Sequence, residues 1–326
     1  MQWLKLIARI SVTGLLVMGA SIASVAQLST DARAAIPHDV QQLIVIDYKA
    51  MQNSVAATNL RDRVTLPELK QFEEALRKAG LNENHDVEQL AYVLFRPQGK
   101  SQNEDAADAP LKSVGIAQGQ FPVPEMLAGF RKQKIKATLI RTNKVYPLAR
   151  TGMVLCFVDT STMVFGDPEA VKAALDAHDS AAPSLLTNAP MMDAMRSVDT
   201  EPLWSILDSK GTEFMMKQML GPAGSITGFA SIQKRLQACW YSMDFQHGAT
   251  FDLTISTDDS FTAAAISSLL NAAVTVRKMS GSDAEKQALS ATSIGSDAGR
   301  LSVHFAASDT EFDALLHSTF FQGMLS

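Results

Sequence analysis

Two spacings of apolar residues recur along the chain, every second residue and every third or fourth, and they follow one another in an order that repeats. After Pro37, the run Leu43 to Asp47 (LIVID) predicts a strand that ends in aspartate. After Pro202, Leu203 to Asp208 (LWSILD) predicts its counterpart. Each leads into a helix. Leu66, Leu69, Phe72, Leu76 and Ala79 share one helical face ahead of Gly80, which supplies a stop, whereas Thr212 to Leu220 is shorter and rich in methionine. A strand pair comes next in both places: 87–95 with 113–121, and 236–245 with 249–257, the second joined tightly through His247-Gly248.

Helices over 123–133 and 261–278 follow, and then more strands. The first half shows four, at 137–142, 145–149, 153–158 and 163–165; the second shows two, at 288–294 and 301–306. Both halves finish on a capped helix. Asp167-Pro168 puts a cap and a first-turn proline ahead of 170–178, and Ser308 with Glu311 forms a capping box ahead of 312–320. The repeated order predicts an α+β fold: two similar lobes of mainly antiparallel sheet with helices packed on one face, and an internal duplication. The N-terminal lobe is expected over 37–179 and the C-terminal lobe over 202–326. Between them 180–201 reads as a linker, because Pro183, Pro190 and Pro202 interrupt any long element.

The N-terminus changes the picture of where this fold forms. Lys5 and Arg9 precede an uncharged run, Ile10 to Ala26, that ends in Ser24-Val25-Ala26, the order of a cleavable export signal over 1–26. The polar, small residues of 27–36 read as a flexible leader. The alternative is an uncleaved anchor over residues 10–26, near the lower limit of membrane-spanning length. Either way the fold is expected in the periplasm or outside the cell, with the membrane touched only through that segment.

Composition narrows the function classes. With 46% hydrophobic and 19% charged residues the chain can bury a core. A net charge of −5 argues against a nucleic-acid partner, since the one basic run, Arg131 to Lys136, reads as a solvated helix end. Cys156 and Cys239 each lie in a strand-like run and could pair in an oxidising compartment; two buried thiols are the alternative.

Motifs for catalysis are missing. G-x-S-x-G, H-E-x-x-H, the phosphate loop and G-x-G-x-x-G do not occur, and Ser231 with Lys234 matches S-x-x-K without its companion motifs. The histidines have no metal-ligand spacing, so neither a metal nor a cofactor is expected. The compositional hint of a binding surface is a cluster of flexible thioethers and aromatics: Met192, Met195, Trp204, Phe214, Met215 and Met219.

The start Ile36-Pro37-x-Asp39 and the helix entry Gly166-Asp167-Pro168, taken with the exported leader, resemble uncharacterised exported bacterial protein families of unknown function. The resemblance implies an α+β fold and carries over no activity and no catalytic residue. The reading that follows is an exported non-catalytic protein that binds a partner protein or an apolar ligand. The alternatives are an extracytoplasmic hydrolase assembled from distant residues, such as His304 or His247 with a serine or aspartate, and an anchored structural envelope protein.

Overall fold

The computed structural model describes residues 27–52, 54–64, 67–96, 111–148, 152–220 and 232–318. The signal segment 1–26 lies outside the described residues, as do Ser231 and the polar loop 97–110. Twelve strands form one sheet: β1 (Val40–Asp47), β2 (Val87–Phe95), β3 (Lys112–Gly119), β4 (Thr138–Ile140), β5 (Asn143–Pro147), β6 (Val154–Phe157), β7 (Thr162–Gly166), β8 (Leu203–Leu207), β9 (Leu236–Asp244), β10 (Ala249–Thr257), β11 (Thr292–Asp297) and β12 (Arg300–Ala307). Their spatial order is β11-β12-β10-β9-β8-β1-β2-β3-β7-β6-β5-β4, with every neighbouring pair antiparallel.

Read outward from the central β1–β8 pair, the halves lay down strands in the same order, β1-β2-β3-β7-β6 on one side and β8-β9-β10-β12-β11 on the other. The local chemistry repeats too. Asp47 ends β1 and accepts the Ala50 N–H at 2.8 Å, while Asp208 follows β8 and accepts the Gly211 N–H at 2.7 Å, so each strand hands over to a helix through a carboxylate cap. The expected lobes therefore meet as one continuous sheet. The connecting stretch 180–201 is packed into it: a 3-10 turn, Leu185–Thr187, a helix over Ala189–Met195 and the turn after it carry Leu185, Met191, Met195 and Val198 into the core.

The helices are α1 (Thr30–Ala34), α2 (Tyr48–Met51), α3 (Val55–Val64), α4 (Pro67–Lys78), α5 (Glu83–Asp86), α6 (Val123–Lys132), α7 (Pro168–His178), α8 (Ala189–Met195), α9 (Ser209–Leu220), α10 (Ser260–Ser280), α11 (Asp283–Ser290) and α12 (Asp309–Leu316). The sheet face bearing Leu43 and Val45 is termed the front, and the face bearing Ile44 and Ile46 the back. Over the N-terminal strands the front is covered by α1, α7 and the 3-10 turn, around Val93, Ile116 and Val164, and α8 extends this cover over β8 and the adjoining side of β9, around Trp204 and Ile206. The back is covered by α4 and α6 around Leu90, Leu155 and Phe165. In the C-terminal half, α9 and α10 cover one part of the back, and α3 and α12 the rest.

Helices on a single face thus describe the outer strands of the C-terminal half, β10, β12 and β11, whereas the N-terminal half and the adjoining β8 and β9 carry a second helical layer on the front. Two local expectations need correction. Residues 27–36 are no flexible leader: Ser29 caps α1 by accepting the Ala32 N–H at 3.1 Å, and Leu28, Ala32, Ala35 and Ile36 are buried. Residues 288–290 are the end of α11, held by the Ser282/Glu285 capping box, so the strand there begins at Thr292.

Candidate functional site

Antiparallel register decides which polar side chains meet, because every second residue of each strand shares a face. On the front, one end of the sheet carries a polar row through paired positions Asp47, Gln89, Gln118 and Thr162 on β1, β2, β3 and β7. Here it is roofed by the start of α1, whose Ser29 N–H donates to Gln118 Oε1 at 2.9 Å. Gln89 and Thr162 are 2% and 0% exposed, and Gln89 Oε1 and Thr162 Oγ1 have no hydrogen-bond partner among the described residues.

The row continues into the C-terminal half, where the roof ends. Asp47 N–H donates to Pro202 O at 2.7 Å, and beyond it lie Asp244 and Thr250, then Ser242, Asp252, His304 and Ser293 in the next row. His304 Nδ1 and Asp252 Oδ1 are 2.7 Å apart, with side chains 51% and 57% exposed. Farther along the same face the Arg300 guanidinium sits 6.0 Å from the centre of the Trp240 ring, a cation–π contact. Thr254, Ser256, Gln237 and Ser302 complete the surface, with a hydrogen bond from Ser256 Oγ to Gln237 Oε1 at 3.2 Å.

Electrostatics mark the border between roofed and open parts. Partial burial of Glu201, and then the negative charges of Asp244 and Asp252, push its carboxyl above the ordinary carboxylate range. What this surface offers is a broad, flat array of donors and acceptors with one half-buried indole.

The row His304–Asp252 partly assembles the constellation expected for a hydrolase, and Ser293 is the register partner on the other side of His304. No hydrogen bond joins Ser293 to His304 among the described residues. His247 is exposed in the β9–β10 turn, away from this row. Among the described residues no group of three or more His, Cys, Asp or Glu side chains is placed to hold a metal.

The methionine–aromatic cluster does not come together as one surface. Met195 and Trp204 are 1% exposed in the front core, and Met192 packs partly buried against it. Phe214, 59% exposed, and the partly buried Met215 belong to α9, which crosses to the back. Met219 has no described side chain. A partly open apolar recess does exist on the back, lined by Tyr48, Leu76, Leu90, Tyr92, Met163 and Phe165, but its volume of about 30 Å³ matches a single water molecule rather than an apolar ligand.

The cysteines also part company. Cys156 lies on the front, on β6, and Cys239 on the back, on β9, and both are free and buried. Six strand steps separate β6 from β9, roughly 29 Å at about 4.8 Å each, far beyond the reach of a disulfide. Burial, helped by the Asp179 charge, pushes the Cys156 thiol up to about 11, and burial raises Cys239 further. Alkylating the denatured, unreduced protein is expected to add two adducts by mass; a product that takes up none would restore the bridge.

No family model matches the chain, and no curated protein matches it. Among solved structures it is similar to TP0453 in crystal form I, with 11% identity, a TM-score of 0.49 and coverage of 89% of this chain and 98% of that one. Crystal form III of TP0453 gives 9% identity, a TM-score of 0.47 and coverage of 88% and 98%. Crystal form IV gives 10% identity, a TM-score of 0.44 and coverage of 91% and 99%. At these identities no site residue carries across. Among the described residues no helix is long and apolar enough to cross a membrane.

Proposed function

We propose that this is an exported, non-catalytic protein, placed in the periplasm or outside the cell, that binds a partner protein through the open front of its C-terminal half. The observation that supports this is the unequal covering of one sheet: the front is core on the N-terminal side and bare beyond Trp240. A bare, flat sheet with an indole, a guanidinium and regularly spaced hydroxyls suits a protein partner, whose interfaces favour tryptophan and arginine at their centre. Export rests on residues 1–26, and a mature N-terminus at Gln27 is the expected outcome of sequencing the secreted form.

Photo-crosslinking in cells tests the surface. A crosslinker placed at Thr254 or Ser302 is expected to give a discrete adduct, and one at Ala272, on the outer side of α10, is not. Equal labelling from all three positions would reject the face as a binding site.

A second reading has one observation in its favour, the Ser293–His304–Asp252 row, in which His304 already turns Nδ1 to the carboxylate, as a hydrolase requires. A fluorophosphonate probe that labels the protein but not Ser293→Ala would establish it. The exposed, cleft-free setting and the missing Ser–His bond weigh on the side of binding.

A further inference from the structure

Between Glu125 and Asp159 the chain has seven lysines and arginines and no acidic residue, in a protein whose net charge is −5. The fold gathers most of them at the outer edge of the N-terminal half. Arg131 and Lys132 end α6, Lys134 follows with a left-handed backbone (φ 60°), Lys136 leads into β4, and Lys144 lies on β5. All five are exposed, and none forms an ion pair among the described residues. Arg141 differs: it is neutralised by Asp176 at 2.7 Å. Glu125 stands seven residues before Lys132, about 10 Å along the helix axis.

The same place is a free sheet edge. β4 is the last strand, with no described strand beyond it. Leu139, 69% exposed, faces the back beside its register partner Lys144. The turn after β4 has two residues, Arg141 and Thr142, so Ile140 and Asn143 form the hydrogen-bonded pair that closes it. Antiparallel ladders alternate, and the Leu139 N–H and C=O therefore point outward, away from β5.

We propose that this edge takes an extended acidic segment of a partner protein as an added strand, an apolar residue of the segment resting on Leu139 and carboxylates on either side meeting the five cations. Three independent features converge on that occupant. The outward backbone groups suit a polypeptide, which a bilayer or a polyanion without amides could not exploit. The bare leucine asks for an apolar neighbour. The cations keep two copies of this edge apart by repulsion and select an acidic guest. The site is distinct from the open front face, so either can fail alone.

The test uses the full chain and a blocked, fluorescent nonapeptide in which valine and threonine alternate between paired glutamates. Anisotropy is expected to show saturable binding that weakens with salt, and the same peptide with lysines for glutamates should not bind. Reversing three charges together (Lys132→Glu, Lys134→Glu and Lys136→Glu) is expected to weaken it about tenfold. Leu139→Pro leaves all five cations and the β4–β5 hydrogen bonds but removes the outward N–H, and an equal loss is expected. If that variant does not fold, Leu139→Ser, which removes the apolar contact without adding a charge, serves instead, and weakened binding is again expected. Undiminished binding to a folded Leu139 variant would reduce the site to charge attraction and overturn strand addition. No peptide binding, or phosphatidylglycerol vesicles or polyphosphate binding in its place, would overturn the proposal outright.

Discussion

The two halves of the sheet share a strand order and differ in what covers the front. After β7 the chain turns onto the front as α7, placing Val171, Ala174 and Leu175 against Val164. After β12 it turns to the back as α12, placing Phe312 and Leu316 against Phe305. Side-chain character follows: the front of β3 presents Val114 and Ile116, whereas the front of β10 presents Asp252 and Thr254. One topological position therefore goes with three layers and two cores on the N-terminal side, and with two layers and a bare front over β10, β12 and β11. The lesson is that strand order and layer order are separate decisions, and the side onto which the final helix of each half turns helps decide whether the front is core or surface.

Substitutions can break this contrast or sharpen it. The largest effect is expected at Trp204→Ala, which empties a fully buried site beneath α8 and should cost about 3–5 kcal/mol in denaturant unfolding. Trp240→Ala, at the margin of the open face, should cost well under half as much, and equal losses would mean that the front is not bare there. Next comes Gly115→Ala. An added methyl there falls inside the Phe165 ring on the back of the sheet, for an expected loss of about 1–3 kcal/mol, partly recovered by Phe165→Leu. Gly295→Ala on the open front meets little besides Ser302 Oγ at 3.5 Å, and should stay within about 0.5 kcal/mol of the parent.

The smallest effect concerns the border residue Glu201. Its raised carboxyl pKa means that folding favours the protonated form, so this contribution is complete at low pH and is lost as the pH rises through the raised value. Glu201→Gln is therefore expected to melt about 1–2 °C above the parent at pH 7. The gain should vanish below about pH 4, where the unfolded carboxyl is protonated as well. A variant that melts lower at pH 7 would show that the charge is welcome at the border.

Much of the fold could be read from spacing because the signals are local. The aspartates ending both central strands, the Asp167 and Ser308 caps and the alternation in β9 and β10 each act within a few residues, and each appears where the pattern puts it. The candidate site was far less legible. Met195, Trp204, Phe214 and Met215 lie within about twenty positions of one another in sequence, yet the sheet stands between them, since α8 packs on the front and α9 on the back. Conversely, Asp252, Ser293 and His304 look unrelated in the sequence, and only strand pairing sets them side by side.

By itself the sequence determined the kind and order of elements: period-two runs make strands, period-three-to-four runs make helices, and short side chains with free acceptors start them. It also carried the uneven charge, with all the cations of 126–158 unopposed along the chain. Tertiary structure alone decided which face each helix covers, that the halves join through β1 and β8, and that the two thiols never meet. The physical reason is range. Propensity and capping energies are settled between neighbours, whereas face and partner are chosen by burying apolar area against distant segments, and several arrangements satisfy the same local pattern.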